Sequence, residues 1–473
     1  LKVDIWVAYC CSIEEDVSNQ TRLERCCIDL NFRELCSWAA LDSVSPSDAP
    51  SGNFSGASTR CAKDVKHLLM NLPISLLNVG LFLVSIALLI PIGVFCIECV
   101  TACLPRSQRN RNPSLPRPKI AVLVPAHNEA PGIATTLKEL LPQLTDSDRL
   151  IVIADNCTDD TAAIARAAGA TVIERQDSER RGKGYALDFG LKFAATDPPD
   201  VVVIVDADCL VSPGTIDQIA RLASSQSRPV QATYLLTQPP QPSPKDAVST
   251  LAFTVKNLVR PLGMDQLGLP CLLTGTGMAF PWSVIHKVSL ASGNIVEDMQ
   301  LALDLAIAGY PATFCADARV LGALPQQERA AKSQRTRWEH GHLQTLLTQV
   351  PRMLRAAWQQ QRFDLFAIAL DLSVPPLSLL VMLWSAALLL SGLALLLGGS
   401  LVAMLVLALE GILLLTAILL AWARFCRAEL PFATLLSVPL YVLWKLPLYF
   451  AFLVKPQTKW VRTERDTVDS PKL

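Results

Sequence analysis

The chain has 473 residues, and its 42 Lys and Arg are balanced by 42 Asp and Glu. That length is too great for one ordinary domain, and zero formal charge speaks against a nucleic-acid partner held by bulk charge. Hydrophobic residues make up 51% and the mean hydropathy is +0.35, with the apolar surplus gathered in blocks that read as membrane.

Residues 1–69 begin with Leu, contain no Met and hold six cysteines: Cys10, Cys11, Cys26, Cys27, Cys36 and Cys61. They show no sustained period. The expectation is a leader of translated upstream sequence, with the native start at Met70; the alternative is an extracytoplasmic, disulfide-bearing extension. Residues 70–103 are expected to form an N-terminal transmembrane anchor. Residues 71–97 carry no charge, and such a run exceeds the ~20 helical residues that cross a bilayer. Arg106, Arg109, Arg111, Arg117 and Lys119 follow. Basic residues beside a span mark the cytoplasmic side, so 104–325 is expected to be a cytoplasmic domain.

From 119 onward the pattern changes. "KIAVLVPAHNE" is a buried strand entering a polar loop, "GIATTLKELLPQL" has helical spacing, and "RLIVIADNC" is a strand ending in Asp155. "DDTAAIARAAGA" is a helix with Asp159 or Asp160 placed to cap it. "TVIER" is a strand, "YALDFGLKFAA" a helix, and "VVVIVDADC" the next strand. Alternating strand and helix predict an α/β domain on a parallel, doubly wound sheet. In such sheets ligands bind beyond the strands' carboxyl ends. Three strands end there in polar groups: Asn128/Glu129, Asp155, and Asp206/Asp208.

An extended Asp-Ala-Asp would present both carboxylates on one face, a pair suited to Mg²⁺ or Mn²⁺ with ligand phosphates completing the shell. "ERRGKGYAL" adds Arg180, Arg181 and Lys183 in a glycine-containing loop that enters a helix, a place that suits an anion. No phosphate-binding GxxxxGK[ST] pattern and no GxGxxG after a strand occurs, which disfavours P-loop ATPases and dinucleotide enzymes. "LLTGTGMAF" is a Gly/Thr loop between apolar runs. Glu297 and Asp298 open a helix in "NIVEDMQLALDLAIAGY", where acids are also ordinary dipole partners. "SQRTRWEHGHLQTLL" is helical, with Gln334, Arg337 and Trp338 near one face. His340 and His342 lie two apart, a poor ligand spacing, and are expected at an interface, with no metal.

The region 326–362 is expected to form interface helices, and 363–454 the C-terminal membrane region. Residues 372–409 are uncharged around Gly398-Gly399-Ser400, which predicts a hairpin of spans near 374–397 and 401–422. Glu410 is expected to face protein or headgroups. Residues 431–454 contain Pro431, Pro439, Pro447 and Lys445; this segment is expected to lie in the interface or re-enter. A single crossing would put the basic tail 455–473 (Lys455, Lys459, Arg462, Arg465) outside, against Arg424 and Arg427 at the hairpin's cytoplasmic end. The eight remaining cysteines have no metal-ligand spacing and read as small buried hydrophobes.

"VPAHNEA", "ADNCTDDT", "GKGYAL", "VDADC", "TGTGMAF", "VEDM" and "QRTRW" occur here in one order. In that order the chain resembles membrane-embedded family 2 glycosyltransferases: the cellulose, chitin, hyaluronan and poly-N-acetylglucosamine synthases. The resemblance covers roughly 119–345 and implies a GT-A (Rossmann-like) cytoplasmic domain flanked by transmembrane helices. It implies that Glu129, Asp155 and Lys183 contact the nucleoside, that Asp206 holds nucleotide and metal, and that Asp208 holds the Mg²⁺ or Mn²⁺. It makes Asp298 the catalytic base, and Gln334, Arg337 and Trp338 the cover of the donor diphosphate. Thr274, Gly275, Thr276 and Gly277 resemble the acceptor-side loop. Val296 stands where many such synthases have Thr, and the short tail leaves no room for a cyclic-nucleotide sensor domain. The low span count speaks against a wide polymer channel of its own and points to export partner proteins. The expectation is an inverting transferase in a bacterial inner membrane. It would take a nucleotide sugar, a UDP-sugar, to a growing polysaccharide; the alternatives are a lipid acceptor such as a ceramide, or a sugar-binding or transport protein without catalysis. Membrane lipid is an expected partner and nucleic acid is not.

Overall fold

A computed structural model describes residues 55–105, 116–238, 243–291, 296–323 and 328–454. Most of the expected leader, Arg106, Arg109, Arg111 and the tail 455–473 lie outside the described residues. Helix α1 (Ser55–Ala102) runs through Met70 without a break.

The catalytic-looking segment runs β1 (Ile120–Ala126), α2 (Ile133–Leu140), β2 (Arg149–Asp155), α3 (Thr161–Ala167), β3 (Thr171–Arg175), α4 (Lys183–Ala194), β4 (Val201–Ile204) and β5 (Cys209–Val211). It continues through α5 (Thr215–Gln226), β6 (Val230–Thr237), α6 (Pro244–Thr254), a π-helical turn at Val255–Val259, α7 (Arg260–Gln266), β7 (Met278–Pro281) and α8 (Trp282–Ile285). Then come α9 (Glu297–Ile307), β8 (Thr313–Ala323) and α10 (Glu328–Gln360).

The Val/Ile runs become strands because both of their faces are covered. Val201, Val202, Val203 and Ile204 are all fully buried, each contributing about 1.5–3 kcal/mol of apolar burial. The eight strands lie in the order β3-β2-β1-β4-β7-β6-β8-β5. The first four are parallel, as expected. The other half corrects the expectation of an all-parallel sheet: β7 is antiparallel to both β4 and β6, and β5 is antiparallel to β8. Gly275 and Gly277, both at positive φ, turn the TGTG loop so that the following strand enters the sheet reversed. A side chain at Gly277 would press on Val320 at 2.7 Å.

Arg117 and Lys119 are engaged within the domain. Arg117 pairs with Asp148 and Asp217, and Lys119 with Asp197, so both tie the domain's own entry strand in place.

After α10 follow α11 (Phe363–Ser373), α12 (Leu377–Leu396), α13 (Leu401–Ala421), α14 (Phe432–Leu435) and α15 (Val438–Val454). The expected hairpin is α12 and α13, where Trp384 Nε1 donates to the Leu407 carbonyl at 2.7 Å. Glu410 is fully buried and so faces protein. Among the described residues, four segments are long and apolar enough to cross a membrane: Ile74–Ala102, Leu377–Leu396, Leu401–Cys426 and Phe432–Val454. The last is interrupted between α14 and α15 and carries a buried Lys445 paired with Glu339.

One buried charge cluster joins α1, α7 and α11. Arg260 Nε donates to Glu98 Oε2 at 2.6 Å, and its Nη2 to Asp371 Oδ1 at 2.5 Å. Gly263 lies against the Glu98 carbonyl so closely that a Cβ there would overlap it. The eight cysteines from Cys96 to Cys426 are free, five of them buried and three half-buried.

Candidate active site

The site is assembled at the carboxyl ends of the parallel strands. Asp155 closes β2 and its Oδ1 accepts from Arg175 Nη1 at 2.6 Å and Asn156 Nδ2 at 3.0 Å. Glu129 follows β1; its backbone N–H donates to Thr161 Oγ1 at 2.8 Å. Asp160 occupies the cap position of α3, but Asp159 does the capping, its Oδ1 accepting from the Thr161 N–H at 3.1 Å.

Asp206 and Asp208 are not in a strand. β4 stops at Ile204 and the chain turns before β5, so period-two alternation does not place them. The turn itself brings them together: their carboxylate oxygens and the Cys209 sulfur lie within 4.8 Å of one another. The turn is held from below, where the Asp206 N–H donates to Thr276 Oγ1 at 3.1 Å.

Lys183 opens α4 behind Gly182, whose φ is 127°. Its ammonium pairs with Asp206 and donates to the Gly275 carbonyl at 2.6 Å. A Cβ at Gly275 would stand 3.3 Å from Asp298 Oδ2 and 3.6 Å from Lys183 Nζ. Asp298 in the first turn of α9 therefore faces the same point as the Lys183–Asp206 pair. Burial raises Asp206, Glu297 and Asp298 above the usual carboxylate range, against the pull of Lys183, and takes Glu297 to about 7. Burial works to lower Lys183, but Asp206, Glu297 and Asp298 outweigh it and hold its ammonium above the ordinary value.

The donor set fits a hard divalent cation. Two convergent carboxylates suit Mg²⁺ or Mn²⁺, and such hard cations prefer oxygen, so the Cys209 sulfur is a poor third ligand. Asp206 and Asp208 would hold the ion, and the charge it supplies would offset a diphosphate leaving group. Chelation with EDTA is expected to abolish turnover, with Mn²⁺ or Mg²⁺ restoring it. Asp208→Ala should lose metal-dependent nucleotide binding in calorimetry while melting like the native chain, because Asp208 lies in a turn outside the packed core.

These groups line one cavity of about 390 Å³. Glu129, Asp155, Lys183, Asp206, Asp208, Thr274, Gly275 and Asp298 come from the sheet side, and Gln334, Arg337 and Trp338 from α10. The Trp338 ring lies 5.6 Å from that of Phe253. Thr276 and Gly277 do not line the cavity; Thr276 is fully buried beneath Asp206. His340 and His342 are buried at a packing interface, their Nε2 atoms 3.0 Å and 3.2 Å from the Leu448 and Val374 carbonyls.

Sequence reasoning missed Gln231, Lys256, Asn257 and Arg260. Gln231 on β6 accepts from the Thr274 N–H at 2.9 Å and donates to the Thr276 carbonyl at 2.9 Å, which holds the TGTG loop. A polar residue in a buried strand was its signal. Lys256, Asn257 and Arg260 line the cavity from the helix after β6; their signal was polarity inside the apolar run "LAFTVKNLVRPLG".

Residues 116–341 match the family described as "Glycosyltransferase like family 2". This segment is a family 2 glycosyltransferase domain. Among curated proteins, the chain is 27% identical over 268 residues to "Probable glycosyltransferase YdaM" of Bacillus subtilis, covering 53% of this chain and 61% of that one. It is 29% identical over 215 residues to "Uncharacterized glycosyltransferase YaiP" of Escherichia coli, covering 43% and 52%. It thus spans little more than half the length of these relatives. A solved mannosyltransferase of Pyrobaculum calidifontis, in complex with GDP-Man and Mn²⁺, aligns over 77% of this chain and 99% of its own at 21% identity and a TM-score of 0.49. A likeness of that degree carries no argument.

Proposed function

We propose that the chain is an inverting glycosyltransferase, moving a sugar from a nucleotide diphosphate donor, a UDP-sugar, to a hydroxyl of a membrane-held acceptor. The observation that carries this is the meeting of Asp298, Lys183 and Asp206 around Gly275: a base and a diphosphate-binding corner share one point. The acceptor hydroxyl gives its proton to the Asp298 carboxylate as its oxygen bonds to the anomeric carbon. The bond from that carbon to the diphosphate oxygen breaks, and the nucleoside diphosphate leaves with the electron pair. Lys183 and Arg337 face the charge that develops, with Glu129 and Asp155 on the nucleoside side. Thr274 and Gly275 flank the acceptor, and Thr276 and Gly277 support them.

The order of motifs supports a growing polysaccharide as acceptor, with export left to partner proteins. A single transfer to a lipid is the second reading. It is favoured by the far end of the cavity, which lies among Phe95, Tyr441 and Lys445 of the membrane segments. On either reading the domain faces the cytoplasm of a bacterial inner membrane.

A panel of UDP-sugars assayed for UDP release tests the reading, and no release with any of them sinks it. Product length separates polymer from single transfer. Arg337→Ala should lose about 10²–10³-fold in turnover, the usual cost of removing a donor from developing charge, without change in melting. Arg337→Lys should recover little, because an ammonium cannot reproduce the planar two-pronged contact with phosphate.

A further inference from the structure

The cavity continues past Asp298 toward the membrane helices, where its wall includes Lys256 and Asn257. Both lie in the π-helical turn Val255–Val259. A π-turn inserts one extra residue into a helix and recurs at functional sites. Val255, Asn257 and Val259 are buried, whereas Lys256 is open to the cavity.

Four neighbouring cations that line the cavity are paired. Arg260 is held by Glu98 and Asp371, Arg335 by Asp246, Lys445 by Glu339 and Lys183 by Asp206. Among the described residues, Lys256 makes no hydrogen bond or ion pair. Burial pulls its ammonium below the usual range, Asp298 opposes that, and Arg260 adds to it. Beside it, Asn257 Oδ1 is buried with no hydrogen-bond partner, and so is Thr274 Oγ1 across the loop. Buried polar atoms left unpaired are costly, so this end of the cavity is built for a polar guest.

Lys256 lies about one turn before Arg260, which is bonded to Glu98 of α1 and Asp371 of α11. This part of the cavity wall is therefore tied to the helices that flank the domain, the side from which a membrane-held acceptor would enter.

We propose that Lys256 binds an oxyanion, a phosphate-type group carried by the acceptor near its reacting hydroxyl, and that Asn257 Oδ1 accepts a hydrogen bond from an acceptor hydroxyl beside it. This rests on the glycosyl-transfer reading above and adds to it a charge requirement on the acceptor.

The test uses the full chain in phosphatidylcholine nanodiscs saturated with UDP and MgCl₂, with radiolabelled inorganic phosphate followed by equilibrium dialysis. The native chain should bind phosphate in addition to UDP. Lys256→Met keeps the aliphatic stem and should weaken that binding by at least about tenfold, the order expected for a lost charge-assisted bond. Lys256→Arg should stay within a few-fold of native. Nanodiscs containing phosphatidic acid that compete with phosphate in the native chain, but not in Lys256→Met, assign the oxyanion to a lipid headgroup. Competition by soluble glycerol 3-phosphate alone assigns it to a free phosphate ester. Equal phosphate binding by native chain and Lys256→Met overturns the proposal, as does absence of phosphate binding while UDP binds. UDP titrated alone on the same preparations reads the nucleotide site separately; a chain that binds no UDP takes the parent reading down, and this one with it.

Discussion

Asp298→Asn is expected to bind UDP and metal nearly as the native chain does and to lose about 10²–10⁴-fold in turnover, the usual worth of a general base. The amide keeps the size of the carboxylate but cannot take the acceptor's proton. Glu297 and Asp298 are adjacent on a helix and point about 100° apart, so they cannot serve the acceptor equally, and Glu297→Gln should lose less. The pH profile supplies an independent check. A base works unprotonated, and burial raises Asp298 and takes Glu297 to about 7. Activity should therefore rise with pH along an acid limb displaced upward from the ordinary carboxylate value of about 4. The two acids are coupled, so the limb reports the pair. If Asp298→Asn turns over like the native chain while Glu297→Gln is dead, the roles are swapped. If both stay active, the pair is only a helix start.

Arg260→Met is expected to be the most damaging single change to the fold, costing about 3–5 kcal/mol because it strands partners of a buried ion cluster. Glu98 and Asp371 would both remain buried without their common cation. Thermal unfolding in detergent should show a large drop in midpoint. Adding Glu98→Gln and Asp371→Asn to Arg260→Met should recover part of it, since neutral partners need no counter-charge. A native-like midpoint for Arg260→Met alone would show that the cluster adds little.

Much of this was legible in the sequence for a simple reason: buried parallel strands are uniform Val/Ile runs, and their ends are marked by the first polar residue. That located Asp155, Glu129 and Asp206, and the apolar blocks located the hairpin with its Gly398-Gly399-Ser400 turn. What failed depended on contacts distant in the chain. β7 follows two glycines at positive φ and runs against both of its neighbours, which a periodicity count cannot see. Asp206 and Asp208 converge through a turn, where a strand was expected; the outcome was anticipated from the wrong geometry. The pairing of Arg117 and Lys119 could not be read from sequence because Asp148, Asp217 and Asp197 are far away in the chain. Glu98, Arg260 and Asp371 each look anomalous alone in an apolar run and make sense only as a set.

The largest hydrophobic core has a practical corollary for anyone handling the protein. It is a single body in which Ile92, Phe95 and Cys99 of the first membrane helix pack with Ile204 and Phe280 of the sheet and with Leu380, Leu407 and Leu414 of the hairpin. Residues 116–341 cut out as a water-soluble fragment would expose a greasy face and strip Arg260 of both acids, so such a fragment should clump before it can be assayed. By the same logic the surrounding amphiphile becomes a variable of any assay on the protein. Detergents that loosen the helices should slow the sheet-edge chemistry, and lipids that tighten them should restore it.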